Sequence, residues 1–248
     1  MAECRVVLAG VIASALITSI PSVVGAEPRA VIELFTSQGC SSCPAADHLL
    51  GELSDDPSVI ALSVPIDYWD YLGWKDTLAI PGHANRQKAY SHVRGDREVY
   101  TPQVVINGTL QALGSDRGAI ERAITVSRRN NGALLSVPLT LAVTDNQLTV
   151  AAEGGKSDGT AADVWLCPLS KAIPVTIGRG ENSGRTITYH NVVRRWVKLG
   201  TWNGAAETWN VPLSDIKGED VDSVVVIVQA GKASAPGPML GAATTSLH

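Results

Sequence analysis

The first third of the chain alternates between apolar β-type runs and one amphipathic segment. Residues 31–35, VIELF, form an apolar run that leads through the polar TSQG into the cysteines of CSSC. Pro44 then opens a segment whose apolar residues share one helical face; they are Ala46, Leu49, Leu50 and Leu53. Residues 59–66, VIALSVPI, are apolar enough for a strand that is buried on both faces of a sheet. Strand, helix and strand in this order predict a right-handed parallel βαβ unit.

A proline-led hairpin lies further along the chain. Residues 100–106, YTPQVVI, predict a strand that starts on a proline, and the bond before Pro102 is where a cis peptide would sit. Asn107-Gly108 is a strong hairpin-turn signal, and residues 109–113 are the expected return strand. Ser115-Asp116 then caps a helix, whose predicted inner face holds Ile120, Ala123 and Ile124.

The pattern changes after Asn130-Asn131-Gly132, which marks a linker. Short strand-like runs separated by Gly- and Asn-rich turns predict an antiparallel β-sandwich. These runs are residues 134–143, 147–152, 163–171, 174–177, 186–199, 207–213 and 221–230. The glycine-rich stretch 178–184 lacks the dinucleotide-binding spacing and does not open a helix, so a hairpin loop is favoured over a phosphate site.

The two cysteines of CSSC are the strongest chemical signal. Two intervening residues bring Cys40 and Cys43 within bonding reach, so the pair can close as a disulfide or open as a dithiol that exchanges electrons. We expect Cys40 where the helix begins, because the positive end of the helix dipole favours a thiolate. The same pattern occurs in zinc knuckles and structural disulfides, and two thiolates with Pro44 and His48 close by could also hold Cu(I).

A run rich in aromatic residues follows the second predicted strand. Residues 67–74 contain Tyr68, Trp69, Tyr71 and Trp74, and a weakly patterned helix is expected over residues 81–93. In open α/β sheets, ligands bind beyond the carboxyl ends of strands, and the cysteines and this run both follow such ends. We therefore predict that the four aromatics line a substrate groove, with packing between domains as the alternative.

The order of strand, CxxC helix, strand, helix, proline-led hairpin and helix resembles the thioredoxin fold over about residues 30–128. The resemblance implies that Thr101 and Pro102 take the place of that fold's cis-proline, which faces the CxxC and orients a bound substrate. It also makes Glu33 the candidate for the buried acid that assists proton transfer, although a strand glutamate that points to solvent is the alternative. Gly39 and the pair Ser41-Ser42 depart from ordinary thioredoxins.

The segments TSQGCSSCPAAD, DYWDYLGW, YTPQVVING and RGENSGRT resemble more closely a family of secreted bacterial thioredoxin-like proteins classed only as a domain of unknown function. The expected fold class is therefore an α/β thioredoxin-like domain followed by an all-β, sandwich-like domain. The corresponding boundaries are a signal peptide at 1–26, the CxxC domain at 27–130, the β domain at 133–240 and a tail at 241–248.

The N-terminal residues predict export. Arg5 precedes an apolar run of about 15 residues, shorter than the roughly 20 that a membrane span needs, and a small-residue end predicts cleavage after Ala26. The expected location is secreted or periplasmic, without a membrane span after cleavage. Cleavage removes Cys4, and Cys167, in an apolar run, is interpreted as a buried thiol with a third, resolving thiol as the alternative.

A net charge of −4 without a basic run argues against nucleic-acid partners. The leading hypothesis is an exported thiol-disulfide oxidoreductase that acts on protein or small-molecule disulfides. Cys40 would attack, Cys43 would resolve the mixed disulfide, and Pro102 would align the substrate. The alternatives are a copper-binding or metal-delivery protein that uses the same cysteines, and a non-catalytic binding module with a structural disulfide. The histidines lack metal-ligand spacing, and no cofactor is expected.

Overall fold

A computed structural model describes residues 28–130, 132–155, 161–218 and 220–247 of the chain. The strands of this part are β1 (Ala30–Thr36), β2 (Val59–Pro65), β3 (Gln103–Ile106), β4 (Leu110–Leu113), β5 (Leu139–Val143), β6 (Gln147–Ala152), β7 (Ala162–Thr176), β8 (Thr186–Val193), β9 (Val197–Trp202), β10 (Glu207–Pro212), β11 (Ser223–Lys232) and β12 (Ala235–Ser246). Its helices are α1 (Pro44–Ser54), α2 (Pro81–Arg94), α3 (Arg117–Asn130) and α4 (Leu213–Ile216), with a 3-10 turn at Asp70–Leu72. The predicted export signal, residues 1–26, lies outside the described residues.

The N-terminal strands and helices follow the predicted order. β1 pairs in parallel with β2 and antiparallel with β3, and β3 pairs antiparallel with β4. The hairpin turn between β3 and β4 has positive φ at both Asn107 (50°) and Gly108 (73°), as its Asn-Gly sequence predicts. Asp116 caps α3 by accepting a hydrogen bond from the backbone N–H of Ala119 at 2.9 Å. The predictions of these elements are confirmed, because each rests on a pattern in the local sequence.

The two faces of β1 pack against different helices. Ile32 and Leu34 share a buried cluster with Leu49 and Leu50 of α1. Phe35, on the other face, shares a cluster with Tyr90 of α2, to which we refer as the α2-face core. The alternation follows from the two-residue side-chain period of a strand. The sheet therefore separates α1, which follows the cysteines, from α2.

One large mixed sheet runs through both halves of the chain. Its order is β12-β11-β7-β8-β2-β1-β3-β4, and β9 also pairs with β7. The two halves meet where β8 lies parallel to β2, with Ser63 opposite Val192. Asn191 reinforces the junction by donating its side-chain N–H to the carbonyl oxygen of Ala61 at 3.0 Å. The predicted boundary near residue 130 thus falls between two stretches of chain that build a single sheet.

A second, three-stranded antiparallel sheet has the order β10-β6-β5. Its buried residues Leu148 and Val150 share a cluster with Trp202, Val164 and Val226 of the large sheet. The C-terminal half therefore buries an apolar layer between two sheets, in the manner of a sandwich. One face of that layer belongs to the same sheet that carries the CxxC unit.

The strand bounds of this half differ from the predicted runs. The runs 163–171 and 174–177 form one strand, β7, and the run 186–199 divides into β8 and β9. β12 was not predicted, and it extends through most of the stretch interpreted as a tail. Its sequence, APGPMLGAATTS, is rich in residues of low β-propensity, and its position at the sheet edge tolerates proline.

Candidate functional site

Cys40 and Cys43 form a disulfide in the turn that follows β1. Their Cα atoms lie 5.4 Å apart, and the backbone N–H of Cys43 donates to the carbonyl oxygen of Cys40 at 3.2 Å. α1 begins at Pro44 with Cys43 as its N-cap residue. The prediction that the helix begins at Cys40 is therefore wrong. The helix begins at Pro44, because proline is favoured at the first helical position.

The two sulfur-bearing residues differ in access. Cys40 is 5% exposed and Cys43 is fully buried, whereas the intervening Ser41 and Ser42 are exposed. Both cysteines are thus largely buried, and Cys40 is the less buried of the two. An attacking cysteine must be more accessible than its resolving partner, and the difference between Cys40 and Cys43 has that direction.

The Thr101–Pro102 peptide bond lies directly against the disulfide. This bond is cis, as expected, and the sulfur of Cys40 lies 3.8 Å from the carbonyl oxygen of Thr101. The backbone N–H of Gly114 donates to the carbonyl oxygen of Pro102 at 2.9 Å. A Cβ at Gly114 would come within 3.0 Å of Pro102 Cβ and 3.1 Å of Ala46 Cβ. The proline-led strand and α1 thus approach so closely that only glycine fits between them.

The aromatic run lies beside the cysteines, as predicted. Trp69 donates its indole N–H to the hydroxyl of Thr101 at 2.7 Å. A Cβ at Gly39 would lie 3.1 Å from Trp69 Cβ, so the residue before Cys40 must be small for Trp69 to pack there. Trp69 stacks with Tyr71 at 6.1 Å between ring centroids, and Tyr71 is 75% exposed. An exposed aromatic surface therefore borders the cysteine turn.

The other two aromatics of the run hold neighbouring elements in place. Tyr68 donates its hydroxyl proton to the Gln87 side-chain oxygen of α2 at 3.3 Å. Trp74 donates its indole N–H to the Gln38 side-chain oxygen at 2.8 Å, and its ring packs on Gly178. The backbone N–H of Gln38 also donates to the Asp76 carboxylate at 2.8 Å. These contacts fix the segment that enters the cysteine turn.

The hairpin loop 178–184 between β7 and β8 clamps the cysteine turn. Asn182 is buried, and its side-chain N–H groups donate to the carbonyl oxygens of Gln38 at 3.0 Å and of Cys40 at 2.8 Å. The carboxylate of Glu181 accepts the backbone N–H of Ser41 at 3.3 Å. The stretch is a hairpin loop as predicted, but its contact with the cysteines was not foreseen, because an asparagine in a glycine-rich turn carries no sign of a distant partner.

Asp47 of α1 is a further candidate that was not predicted. It lies one helical turn after Cys43, is almost fully buried, and neither carboxylate oxygen has a hydrogen-bond partner within the described ranges. Burial raises the pKa of Asp47 to about 8; the neighbouring Thr36 hydroxyl opposes this rise and Asp76 reinforces it. Cys43, Asp47 and Leu50 have the i, i+4, i+7 spacing of one helical face, and this spacing was the available signal.

Glu33 is buried but does not lie beside the cysteine helix. Its carboxylate pairs with the guanidinium of Arg86 at 2.6 Å and accepts the hydroxyl proton of Tyr90 at 2.5 Å. These partners belong to α2, on the face of the sheet opposite α1. The alternative of a glutamate pointing to solvent is therefore wrong, and both carboxylate oxygens are already engaged by partners other than a cysteine.

Cys167 is buried in the α2-face core, and burial raises the pKa of its thiol. This placement agrees with the interpretation of a buried thiol rather than a resolving one. His48 is exposed on α1 and pairs with Glu52 at 3.3 Å. Among the described residues, no group of three or more His, Cys, Asp or Glu side chains is arranged to hold a metal ion. Within the same ranges, every helix is too short or too polar to cross a bilayer.

The chain is similar to a known protein family and to a solved structure. A model of the family described as "Protein of unknown function (DUF1223)" matches residues 31–229. The chain is similar to the X-ray crystal structure of a structural genomics target from Agrobacterium tumefaciens, with 30% sequence identity and a TM-score of 0.79. That similarity covers 90% of this chain and 96% of the other. No curated protein matches the chain significantly. Neither description names an activity.

The raised pKa of Asp47 predicts a specific pH dependence of stability. Between the ordinary carboxyl pKa of about 4 and the folded value of about 8, the native state holds a proton that the unfolded state releases, so the free energy of unfolding falls as pH rises. We expect Asp47→Asn to remove this fall, so that the variant gains up to about 1.4 kcal/mol per pH unit over the wild type in this window. Denaturant unfolding of both oxidised proteins at several pH values measures the difference.

His83 does not confound this comparison. Burial lowers the pKa of His83 to about 4, but the residue is present in both proteins and its contribution cancels. Asp55→Asn, at an exposed carboxyl on the C-terminal side of α1, is the matched control and should track the wild type. Stability curves of the wild type and Asp47→Asn that run parallel from pH 4 to 8 would contradict a buried carboxyl that keeps its proton.

Proposed function

This chain belongs to the DUF1223 family, whose description assigns no activity, and we propose that it is a thiol-disulfide oxidoreductase that acts through Cys40 and Cys43. The contact between the Cys40 sulfur and the Thr101 carbonyl oxygen at 3.8 Å carries the proposal. It brings Cys40, the less buried cysteine of the CxxC pair, against a strand-leading proline, where an extended substrate would lie beside the sulfur. A disulfide that served only as a clip would not need this approach.

The arrangement of elements supports a thioredoxin-like fold for the first half. The parallel β1–α1–β2 unit carries the cysteines at its first strand-to-helix junction, and the β3–β4 hairpin begins after the cis bond that precedes Pro102. α3 follows and packs on the same face as α1 through Ile120 and Ile124. This order and these faces agree with the resemblance drawn from the sequence. The large sheet then continues into β8 and the C-terminal strands.

The chemistry is a two-step exchange. In the dithiol form, the Cys40 thiolate attacks one sulfur of a substrate disulfide, forms a mixed disulfide and releases the first substrate thiolate. Cys43, as a thiolate, then attacks the Cys40 sulfur, closes the Cys40–Cys43 disulfide and releases the second thiolate. Two electrons pass to the substrate. In the reverse direction, a substrate thiolate attacks Cys40, and Cys43 departs as a thiolate that needs a proton.

Asp47 supplies that proton. In the oxidised protein it lies one turn after Cys43 on the same helix, buried and with its pKa raised to about 8 by desolvation, so the carboxyl is largely protonated at neutral pH. A departing Cys43 thiolate receives the proton, and the carboxylate takes it back when Cys43 attacks. We assign proton transfer to Asp47 rather than to Glu33, because Glu33 is paired with Arg86 across the sheet.

The groove proposed for the substrate has Thr101 and Pro102 as its floor and the stacked rings of Trp69 and Tyr71 as its wall. Tyr71 is the exposed member of this wall and is the one that a peptide or a small disulfide would contact. Tyr68 and Trp74 have a positioning role, since their polar groups bond to Gln87 and Gln38. The proposed substrates are therefore protein or small-molecule disulfides with an extended approach to Cys40.

A second candidate function is a non-catalytic binding module with a permanent Cys40–Cys43 clip. The low exposure of the pair, 5% at Cys40 and none at Cys43, favours this candidate. The clamp of Asn182 on the carbonyl oxygens of Gln38 and Cys40 is equally consistent with a rigid structural turn. The two functions differ in whether the disulfide exchanges with thiols under native conditions.

Replacing the resolving cysteine tests the proposal directly. We expect native Cys43→Ser protein, incubated with oxidised glutathione, to form a stable mixed disulfide at Cys40, because the partner that would expel glutathione is gone. Peptide mass spectrometry locates the adduct and separates it from any at Cys4 or Cys167. Cys40→Ser is the matched control and should form little adduct at buried Cys43. Equal labelling in both variants, or none at Cys40, would contradict the assigned roles.

The proton-transfer role predicts a pH-dependent rate ratio. Reduction of the Cys40–Cys43 disulfide by dithiothreitol should be at least about tenfold slower in Asp47→Asn than in the wild type at pH 7. The ratio should shrink above pH 8 as Asp47 loses its proton, and ionisation of dithiothreitol cancels in it. Stopped-flow measurement across pH 6–9, with Asp55→Asn as the control, provides the rates. A ratio near one, or one constant with pH, would refute the role.

A further inference from the structure

A pocket of about 520 Å³ lies on the α2 face of the large sheet, opposite the helix that follows the cysteines. Its apolar walls include Trp165 of β7, Trp196 of the β8–β9 connection and Ala89 of α2. The two indole rings meet edge to face, with centroids 6.2 Å apart. Its volume lies within the range of small-molecule sites, which are concave, mostly apolar and carry few polar groups.

The charged groups of the pocket are all basic. Arg86 forms its floor, where the guanidinium lies 4.0 Å from the ring centroid of Trp196 and is neutralised by Glu33. Lys88 and His92 line the exposed side of α2, one helical turn apart, and neither forms an ion pair with any residue that the structure describes. No lining residue carries a carboxylate. The rim therefore carries one permanent positive charge, that of Lys88, which no ion pair among the described residues compensates.

The indole N–H of Trp196 is not available to a ligand, since its nitrogen is buried. The pocket lining thus combines flat apolar surfaces with one cation, Lys88, that is unpaired in the described part of the chain. The complementary molecule presents a flat apolar body and an anionic acceptor group.

We infer that this pocket binds a small planar aromatic carboxylate. The ring packs against the pocket-lining surfaces of Trp165 and Trp196, and the carboxylate lies toward Lys88. A cationic ligand would meet Lys88 and Arg86 without a carboxylate to compensate it, and a neutral aromatic would gain no electrostatic attraction from Lys88. A polyphosphate would need several free cations, whereas Arg86 is already engaged by Glu33. This inference concerns the α2 face and does not depend on the redox chemistry proposed for the cysteines.

Calorimetric titration with 2-naphthoate, and with neutral 2-naphthamide as its matched probe, tests the inference on the full oxidised chain. We expect saturable binding of naphthoate that is at least about tenfold tighter than that of naphthamide. Lys88→Gln should remove this preference, and Trp165→Ala should weaken both probes. Lys217→Gln, at an exposed lysine outside the pocket lining, is the control and should bind as the wild type does.

A second variant keeps the test decisive if Trp165→Ala fails to fold. Ser234 is exposed in the β11–β12 turn at the pocket rim, so Ser234→Glu should fold normally and weaken naphthoate while sparing naphthamide. The inference is overturned if naphthoate shows no saturable binding at millimolar concentration, or if both probes bind equally. It is also overturned if binding is unchanged in both Lys88→Gln and Ser234→Glu.

Discussion

The pairing of β8 with β2, which joins the two halves of the chain in one sheet, is the constraint on which the candidate site depends. β8 continues the sheet that carries the cysteines, and the loop that precedes β8 contacts the cysteine turn. That position lets Asn182 bind the carbonyl oxygens of Gln38 and Cys40. At Gly51, α1 approaches β8 so closely that an added Cβ would lie 2.8 Å from the His190 ring. The cysteine turn is thus held by both halves of the chain.

Two buried acidic residues, Glu33 and Asp47, lie on opposite sides of this sheet. They differ in whether a partner compensates the charge of the carboxylate. Glu33 is held by Arg86 and Tyr90, and a Gln229 side chain from β11 joins the same network, so its charge is compensated within the core. Asp47 has no such partner and holds its proton instead, because an isolated carboxylate is costly to bury. The compensated acid ties the two halves together, and the uncompensated one is suited to proton transfer.

The sequence predicted the parts of the fold that rest on local signals. The β1–α1–β2 order follows from apolar runs and Pro44, the hairpin from Asn107-Gly108 and the start of α3 from Asp116. β12 could not be predicted, because its Ala-, Gly- and Pro-rich sequence becomes a strand only through pairing with β11. The division of the chain into separate domains missed the shared sheet for a similar reason, since the β2–β8 register is a tertiary property.

The residues of the candidate site also differ in how well the sequence predicted them. Cys40, Cys43 and the aromatic run could be placed together from topology, because strand ends at one edge of a sheet lie near each other. The position of Pro102 beside them was implied by the resemblance to the thioredoxin fold. The role of Asn182 could not be predicted, since nothing in its neighbourhood signals a partner more than a hundred residues earlier in the chain. Asp47 did carry a signal, its spacing from Cys43 on the helix. The resemblance to thioredoxins implied the strand acid Glu33 instead.

The central claim is that the Cys40–Cys43 disulfide exchanges electrons with thiols while both halves of the chain hold it in place. The reduction potential of this pair, measured by equilibrating the native protein with glutathione or dithiothreitol buffers and quantifying free thiols by alkylation and mass spectrometry, tests the claim most directly. An exchanging centre should fall between about −270 and −120 mV, the range of thiol-disulfide oxidoreductases. A value below about −300 mV would identify a permanent structural disulfide and contradict the account.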